Sequence, residues 1–282
     1  MTVSPSALNP PVFSGFDTLT AKQQGQLLKD AMPRFFPARD REKAEAVVVC
    51  LHGFTGMTYE ADPVAEACSR LGMDAVTVLL PGHGYAEKSV QVRQFSHITG
   101  RGLLEATRLV LSEARRRYKK VGIFGQSMGG AIALQMAAEH RVDACAVAAP
   151  ALRLATNAEI LIPLLSWAEF TLPSNLQQDF YLPCYDFYHS KALRALWQVC
   201  RRARNSLTDI TCPVYAAHSH NDATIPPVVM DWLQRDVSNL TYQWFDASNH
   251  VLTRDVEGDE VSRQVGEFLK KTVEVGAMYS VQ

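Results

Sequence analysis

The chain has 282 residues, 47% of them hydrophobic and 20% charged, with a formal net charge of −1. That is the balance of a folded chain with a sizeable core, long enough for one large α/β domain carrying an insertion or for two small domains. Near-neutrality argues against nucleic acid or an anionic membrane surface as the main partner. The basic clusters Arg115–Arg117 with Lys119 and Lys120, and Arg201, Arg202 and Arg204, fall at the ends of expected helices, where cations suit the helix dipole. The six cysteines, at 50, 68, 145, 184, 200 and 212, form no C-x-x-C pair, so neither a disulfide framework nor a zinc site is expected.

Residues 1–45 read as an irregular lead-in, Pro-rich at first and charged at Arg39–Lys43. The N-terminus has no charged segment ahead of an apolar core, and no apolar run reaches the roughly eighteen residues of a membrane span. A cytoplasmic protein without stable membrane insertion is the expectation. From Ala46 onward the pattern repeats as strand, loop and helix. The expected strands are Ala46–Leu51, Ala75–Leu80, Val121–Phe124, Cys145–Ala148, Val214–Ala217 and Leu240–Phe245. They are continuously apolar, as in a parallel sheet covered on both faces. A helix over Gly102–Arg117 turns Leu103, Thr107, Val110, Leu111 and Ala114 inward. The fold class is therefore α/β, a mostly parallel sheet flanked by helices, with ligands at the carboxyl ends of the strands. Its core divides into 46–150 and 209–282.

The rhythm breaks over 151–208, where eight of the residues are aromatic: Trp167, Phe170, Phe180, Tyr181, Tyr185, Phe187, Tyr188 and Trp197. We read this segment as a helical lid facing the mouth of the sheet. Ser190 is placed to cap a helix in which Leu193, Leu196, Trp197 and Cys200 share a face.

The chemistry-bearing residues follow strands. After the first strong strand comes His52-Gly53-Phe54-Thr55-Gly56, where the N–H of Phe54 is placed to stabilise an oxyanion and His52 to brace the loop. Pro81-Gly82-His83-Gly84 follows the next, and His83 reads as a structural loop residue. Then comes Gly125-Gln126-Ser127-Met128-Gly129, a G-x-S-x-G sequence between a strand and a helix. The turn it implies thrusts the Ser127 hydroxyl clear of the sheet. It also offers the Met128 N–H as the second oxyanion donor. Gly125 and Gly129 are required because a Cβ at either would strike neighbouring backbone. A serine needs a base and the base an orienting carboxylate. His250, after the last strand, supplies the first. Asp222 supplies the second, ahead of a helix opened by Pro226 and Pro227, with Asp246 as its competitor. His218 and His220 have a spacing that suits a metal in a strand, but no third ligand accompanies them, so no metal and no cofactor is assigned.

Leu51-His-Gly-Phe-Thr-Gly56, Pro81-Gly-His-Gly84, Gly125-Gln-Ser-Met-Gly-Gly130, His218-Ser-His-Asn-Asp222 and Ser248-Asn-His-Val-Leu-Thr-Arg-Asp255 together resemble the α/β-hydrolases, in particular bacterial carboxylesterases and monoacylglycerol lipases. The resemblance runs from about Ala46 to the C-terminal helix. It implies Ser127 as nucleophile, His250 as general base, Asp222 as its orienter, and the Phe54 and Met128 N–H groups as oxyanion hole. It also implies a small-molecule ester with an apolar acyl group as substrate. The same residues serve a thioesterase, an acyltransferase or a C–C bond hydrolase, and a non-catalytic small-molecule receptor on this fold is the reading from another class.

Overall fold

The apolar runs form a sheet whose two faces are both covered. The computed structural model describes residues 10–39, 44–174 and 179–278. Ahead of the expected core lie β1 (Phe13–Ser14), α1 (Ala21–Gln26) and β2 (Phe35–Phe36). The first half of the core is β3 (Ala46–Leu51), α2 (Asp62–Arg70), β4 (Asp74–Leu79), α3 (Lys88–Ser96), α4 (Gly100–Arg117), β5 (Lys120–Gln126), α5 (Met128–Ala138) and β6 (Ala144–Ala148). The insertion holds α6 (Thr156–Leu165), β7 (Thr171–Pro173), β8 (Phe187–His189) and α7 (Ser190–Asn205). The chain then closes with β9 (Val214–His218), α8 (Val228–Asp236), β10 (Leu240–Trp244) and α9 (Gly258–Met278).

The sheet order is β1-β4-β3-β5-β6-β9-β10, with β2 also paired to β4. The strands from β3 to β6, with β9 and β10, are parallel; β1 and β2 run antiparallel against β4. Alternation along the strands feeds two cores. Val47, Val49 and Leu51 of β3 join the layer of α4, α5, α7 and α8, whereas Val48 and Cys50 join the layer of α2 and α9. Register places the functional loops. Leu51 of β3 lies opposite Gly125 of β5, so the loops that follow leave the sheet side by side. Ala217 of β9 pairs Ala148 of β6 and His218 pairs Trp244 of β10, which puts the next two loops on the same edge.

Three local expectations change. The lead-in is part of the fold, because β1 and β2 pair with β4 and cover its free edge; residues 1–9 and 40–43 of it, which include the expected leaderless N-terminus, lie outside the described residues. β10 is shorter than Leu240–Phe245 and is an edge strand, with Thr241, Tyr242 and Gln243 exposed because it has a neighbour on one side only. Ser190 is the first residue of α7, and the cap is His189, whose Nδ1 accepts the Lys191 N–H. The Ser190 hydroxyl instead donates to Ala168 O and accepts the Phe170 N–H. The face of α7 holds as expected: Leu196 and Cys200 are buried, and Leu193 and Trp197 pack against the core.

The described residues of 151–208 are helical with one small hairpin, β7 against β8. Its hold on the core centres on Tyr185. The Tyr185 N–H donates to Thr55 O at 3.0 Å. The Tyr185 hydroxyl accepts the Tyr85 N–H at 2.8 Å and donates to Gly82 O at 3.2 Å. Tyr185→Phe therefore strands a buried amide and a buried carbonyl, and is expected to cost about 1–3 kcal/mol. Urea unfolding checks this: the midpoint should fall at unchanged slope.

Candidate active site

β5 ends at Gln126, and Ser127 turns the chain directly into α5 with φ 54° and ψ −115°, in the left-handed half of the map that a side chain rarely occupies. The strain is held in place by bonds on both sides. Ser127 N–H donates to Ala148 O, and Ser127 O accepts from both Ala131 and Ala151. The flanking glycines are required for space. A Cβ on Gly125 would lie 2.1 Å from Gly129 O, and one on Gly129 would lie 2.7 Å from Leu51 O and 2.6 Å from His52 O.

Around this turn the structure brings three predicted residues into one hydrogen-bonded line. His250 Nε2 lies 2.9 Å from Ser127 Oγ, and His250 Nδ1 lies 2.8 Å from Asp222 Oδ2. Gln126 Nε2 donates to His250 O and fixes the histidine backbone. The other Asp222 oxygen accepts the N–H groups of Thr224 and Ile225, at 2.8 and 2.9 Å. Burial works to raise the Asp222 carboxyl, but the charge of His250 and these hydrogen bonds outweigh it and hold the group below its ordinary value. The Asp222 and His250 loops are tied together: Ser219 Oγ donates to Ser248 O, and Asn249 Oδ1 accepts the Ala223 N–H.

Asp246, the competing carboxylate, is exposed and bonded to His220 Nδ1 at 2.8 Å, away from His250. His220 stacks on Trp244 with ring centroids 3.7 Å apart. His218 points inward, fully buried, 3.9 Å from Asp222 Oδ2, and burial lowers its pKa to about 4. The pair thus diverges. Among the described residues no group of three or more His, Cys, Asp or Glu is arranged to hold a metal.

The loop after β3 lies against Ser127. Phe54 stacks between Phe95 and Tyr188. Neither the Phe54 nor the Met128 N–H has an acceptor among the described residues, and Met128 opens α5, where the helix dipole is positive. His52 uses both nitrogens as a brace: Nδ1–H donates to Gly53 O at 2.8 Å, and Nε2 accepts the Leu80 N–H at 3.1 Å. Burial pushes its pKa to about 4, so it is neutral. His83 is buried in a cluster with His52, Phe95 and Tyr185, its Nδ1–H on Pro81 O. Two residues that bear on the site escaped sequence reasoning. Gln126 is the variable position of G-x-S, where any residue fits the motif. Glu60, buried behind the loop, was marked only by a charge set between Tyr59 and Ala61 just ahead of α2.

A strained serine between a parallel strand and a helix, in line with a histidine and a carboxylate from later loops, defines the α/β-hydrolase fold class. The chain belongs to the family described as serine aminopeptidase, S33, whose model matches residues 42–182. It is 22% identical over 252 residues to a carboxylesterase of Bacillus subtilis (strain 168), covering 86% of this chain and 99% of that protein. It is 26% identical over 249 residues to a thermostable monoacylglycerol lipase of Bacillus sp. (strain H-257), covering 82% and 92%. Among solved structures, one reported for the metagenome-derived lipolytic enzymes LipS and LipT superposes with a TM-score of 0.79 at 21% identity, covering 87% of this chain and all of that one.

Gly129→Ala must move backbone, and is expected to destabilise by about 1–3 kcal/mol in chemical denaturation. Gly25→Ala, in open space on α1, is the control and is expected to stabilise by up to about 1 kcal/mol.

Proposed function

We propose that this protein is a serine carboxylic ester hydrolase that works through an acyl-enzyme. The observation that carries the reading is the unbroken line Ser127–His250–Asp222, with the serine on a strained turn beside two amides without acceptors. His250 Nε2 takes the proton of Ser127 Oγ as that oxygen attacks the ester carbonyl. The oxygen that gains charge is met by the N–H groups of Phe54 and Met128. Collapse of the tetrahedral intermediate expels the alcohol, which takes its proton from His250. A water deprotonated by His250 then releases the acid from Ser127. Asp222 holds the Nδ1–H tautomer and faces the imidazolium with a carboxylate that burial has not neutralised.

The substrate class is an ester with a short-to-medium apolar acyl chain, monoacylglycerols included, with 151–208 as its lid. The support is chemical: Ile160, Leu161, Leu164, Leu165 and Trp167 are exposed on the insertion, a concentration of apolar surface that globular proteins reserve for ligands or partners. The names of the two bacterial relatives, a carboxylesterase and a monoacylglycerol lipase, fit the same reading. No described helix is long and apolar enough to cross a membrane.

The test is a panel of p-nitrophenyl esters of increasing acyl length, glycerol monoesters, acyl thioesters and aminoacyl p-nitroanilides, with fluorophosphonate labelling read by mass spectrometry. Labelling at Ser127 and turnover peaking at one acyl length are expected. A preference for the anilides would replace the esterase by a peptidase, and ligand binding without turnover would favour a receptor. Ser127→Ala should abolish turnover in a folded protein. Asp222→Asn should lower kcat about 10⁴-fold by favouring the wrong imidazole tautomer. Asp246→Asn should leave kcat close to wild type; the reverse order for the two carboxylates would overturn the assignment.

A further inference from the structure

Three carboxylates are buried among the described residues: Glu60, Asp62 and Asp222. Asp222 faces His250, and Asp62 pairs with Arg34 at 3.0 Å. Glu60 has no cation within ion-pair distance among the described residues. It lies on the 3-10 turn Thr58–Glu60, 3% exposed, and its Oε2 accepts the Gly53 N–H at 2.7 Å. Space for its carboxyl is made by Gly56, where a Cβ would sit 2.0 Å from Glu60 Oε1. The Glu60 backbone carbonyl accepts the Thr253 hydroxyl at 2.7 Å, which joins the same turn to the loop that carries His250.

The peptide that matters is the one between Gly53 and Phe54. Its N–H belongs to Phe54, and its orientation is set by the two torsions of Gly53, which has no Cβ to restrict them. Gly53 nevertheless lies where its Cβ would be 3.3 Å from that of Ser127, so a small rotation there moves the Phe54 amide across the serine. Two side chains clamp it. His52 Nδ1–H holds Gly53 O at the far side of the residue, and Glu60 holds Gly53 N–H at the near side.

We propose that Glu60 is a positioning residue of the oxyanion hole: its carboxyl, with His52 as counterpart, fixes the torsions of Gly53 and thereby aims the Phe54 N–H at the substrate oxygen. This rests on the ester-hydrolase reading above. The surroundings make the clamp sensitive to pH. Burial raises the Glu60 carboxyl to about 7. The groups brought towards it are His250 and Arg254 from the β10–α9 loop and Cys184 from the insertion. Asp62 opens the helix that follows, and Asp30 lies on the turn packed against its own. Above pH 7 the ionised carboxylate binds the Gly53 amide by a charge-assisted bond; below it the neutral acid accepts the same amide more weakly.

The experiment compares wild type, Glu60→Gln and Glu60→Ala by steady-state kinetics on the best ester between pH 6 and 8, with thermal unfolding as the check on folding. Glu60→Ala is expected to lose about 10- to 100-fold in kcat, the scale of a misplaced oxyanion donor, with KM held within about threefold. Glu60→Gln keeps an acceptor for Gly53 and is expected to restore most of that loss at pH 6. It should then fall progressively behind wild type as pH rises through 7, since only wild type gains a charge there. Gly56→Ala, which displaces the carboxyl without removing it, should fall between the two. A kcat for Glu60→Ala within threefold of wild type, or a wild-type to Glu60→Gln ratio that stays flat with pH, overturns the proposal; the ratio decides alone if Glu60→Ala does not fold. Wild-type turnover and fluorophosphonate labelling of Ser127 are read in the same series. If both are absent, the hydrolase reading fails and this inference falls with it; if both are present, the outcomes above bear on Glu60 alone.

Discussion

The first turn of α5 passes over the ends of β3 and β5 with backbone against backbone. Gly125 and Gly129 bring backbone to within a distance that no Cβ tolerates. That approach forces Ser127 to positive φ and lifts its hydroxyl above the sheet edge. It also sets the α5 amides and the His52–Gly56 loop side by side, because Leu51 and Gly125 are in register. Everything else at the edge is placed relative to this crossing: β9 and β10 deliver their loops to the same side, and the serine meets His250 without any adjustment of the sheet.

Around the crossing, buried polar groups are sorted by charge. His52, His83 and His218 are all pushed towards the neutral form by burial. Asp222 alone of the buried carboxylates is held below its ordinary value, because the charge and hydrogen bond of His250, joined by two backbone N–H groups, outweigh its burial. Glu60 and Asp62 go the other way, to about 7 and about 6. The interior therefore concentrates negative charge opposite one imidazole, which suits a step in which that ring becomes cationic.

The parallel strands were legible in the sequence because continuous apolar runs have few alternatives, and the Ser127 turn because its glycines have a steric reason. That Asp222 and not Asp246 would lie against His250 was legible from loop position; Asp246 bonds His220 instead. The lead-in was not legible: β1 and β2 are two residues long, too short for any periodicity to register, and their pairing with β4 is decided by tertiary contact. The cap of α7 was misplaced by one residue because Ser190 found partners in Phe170 and Ala168 across the insertion. Glu60 was not legible because a lone acid in a loop reads as solvated; only the fold turns it inward.

The short strands ahead of the core carry one more consequence. β4 brings Ala75, Val76 and Val78 to the side of the sheet that β1 and β2 close. Stripped of residues 10–39, that strand would present an open ladder of amides and carbonyls flanked by valines, a template for pairing with another molecule. The segment therefore closes an edge that would otherwise be free to pair, so trimming it to reach a smaller core is expected to yield a stickier protein instead of a simpler one.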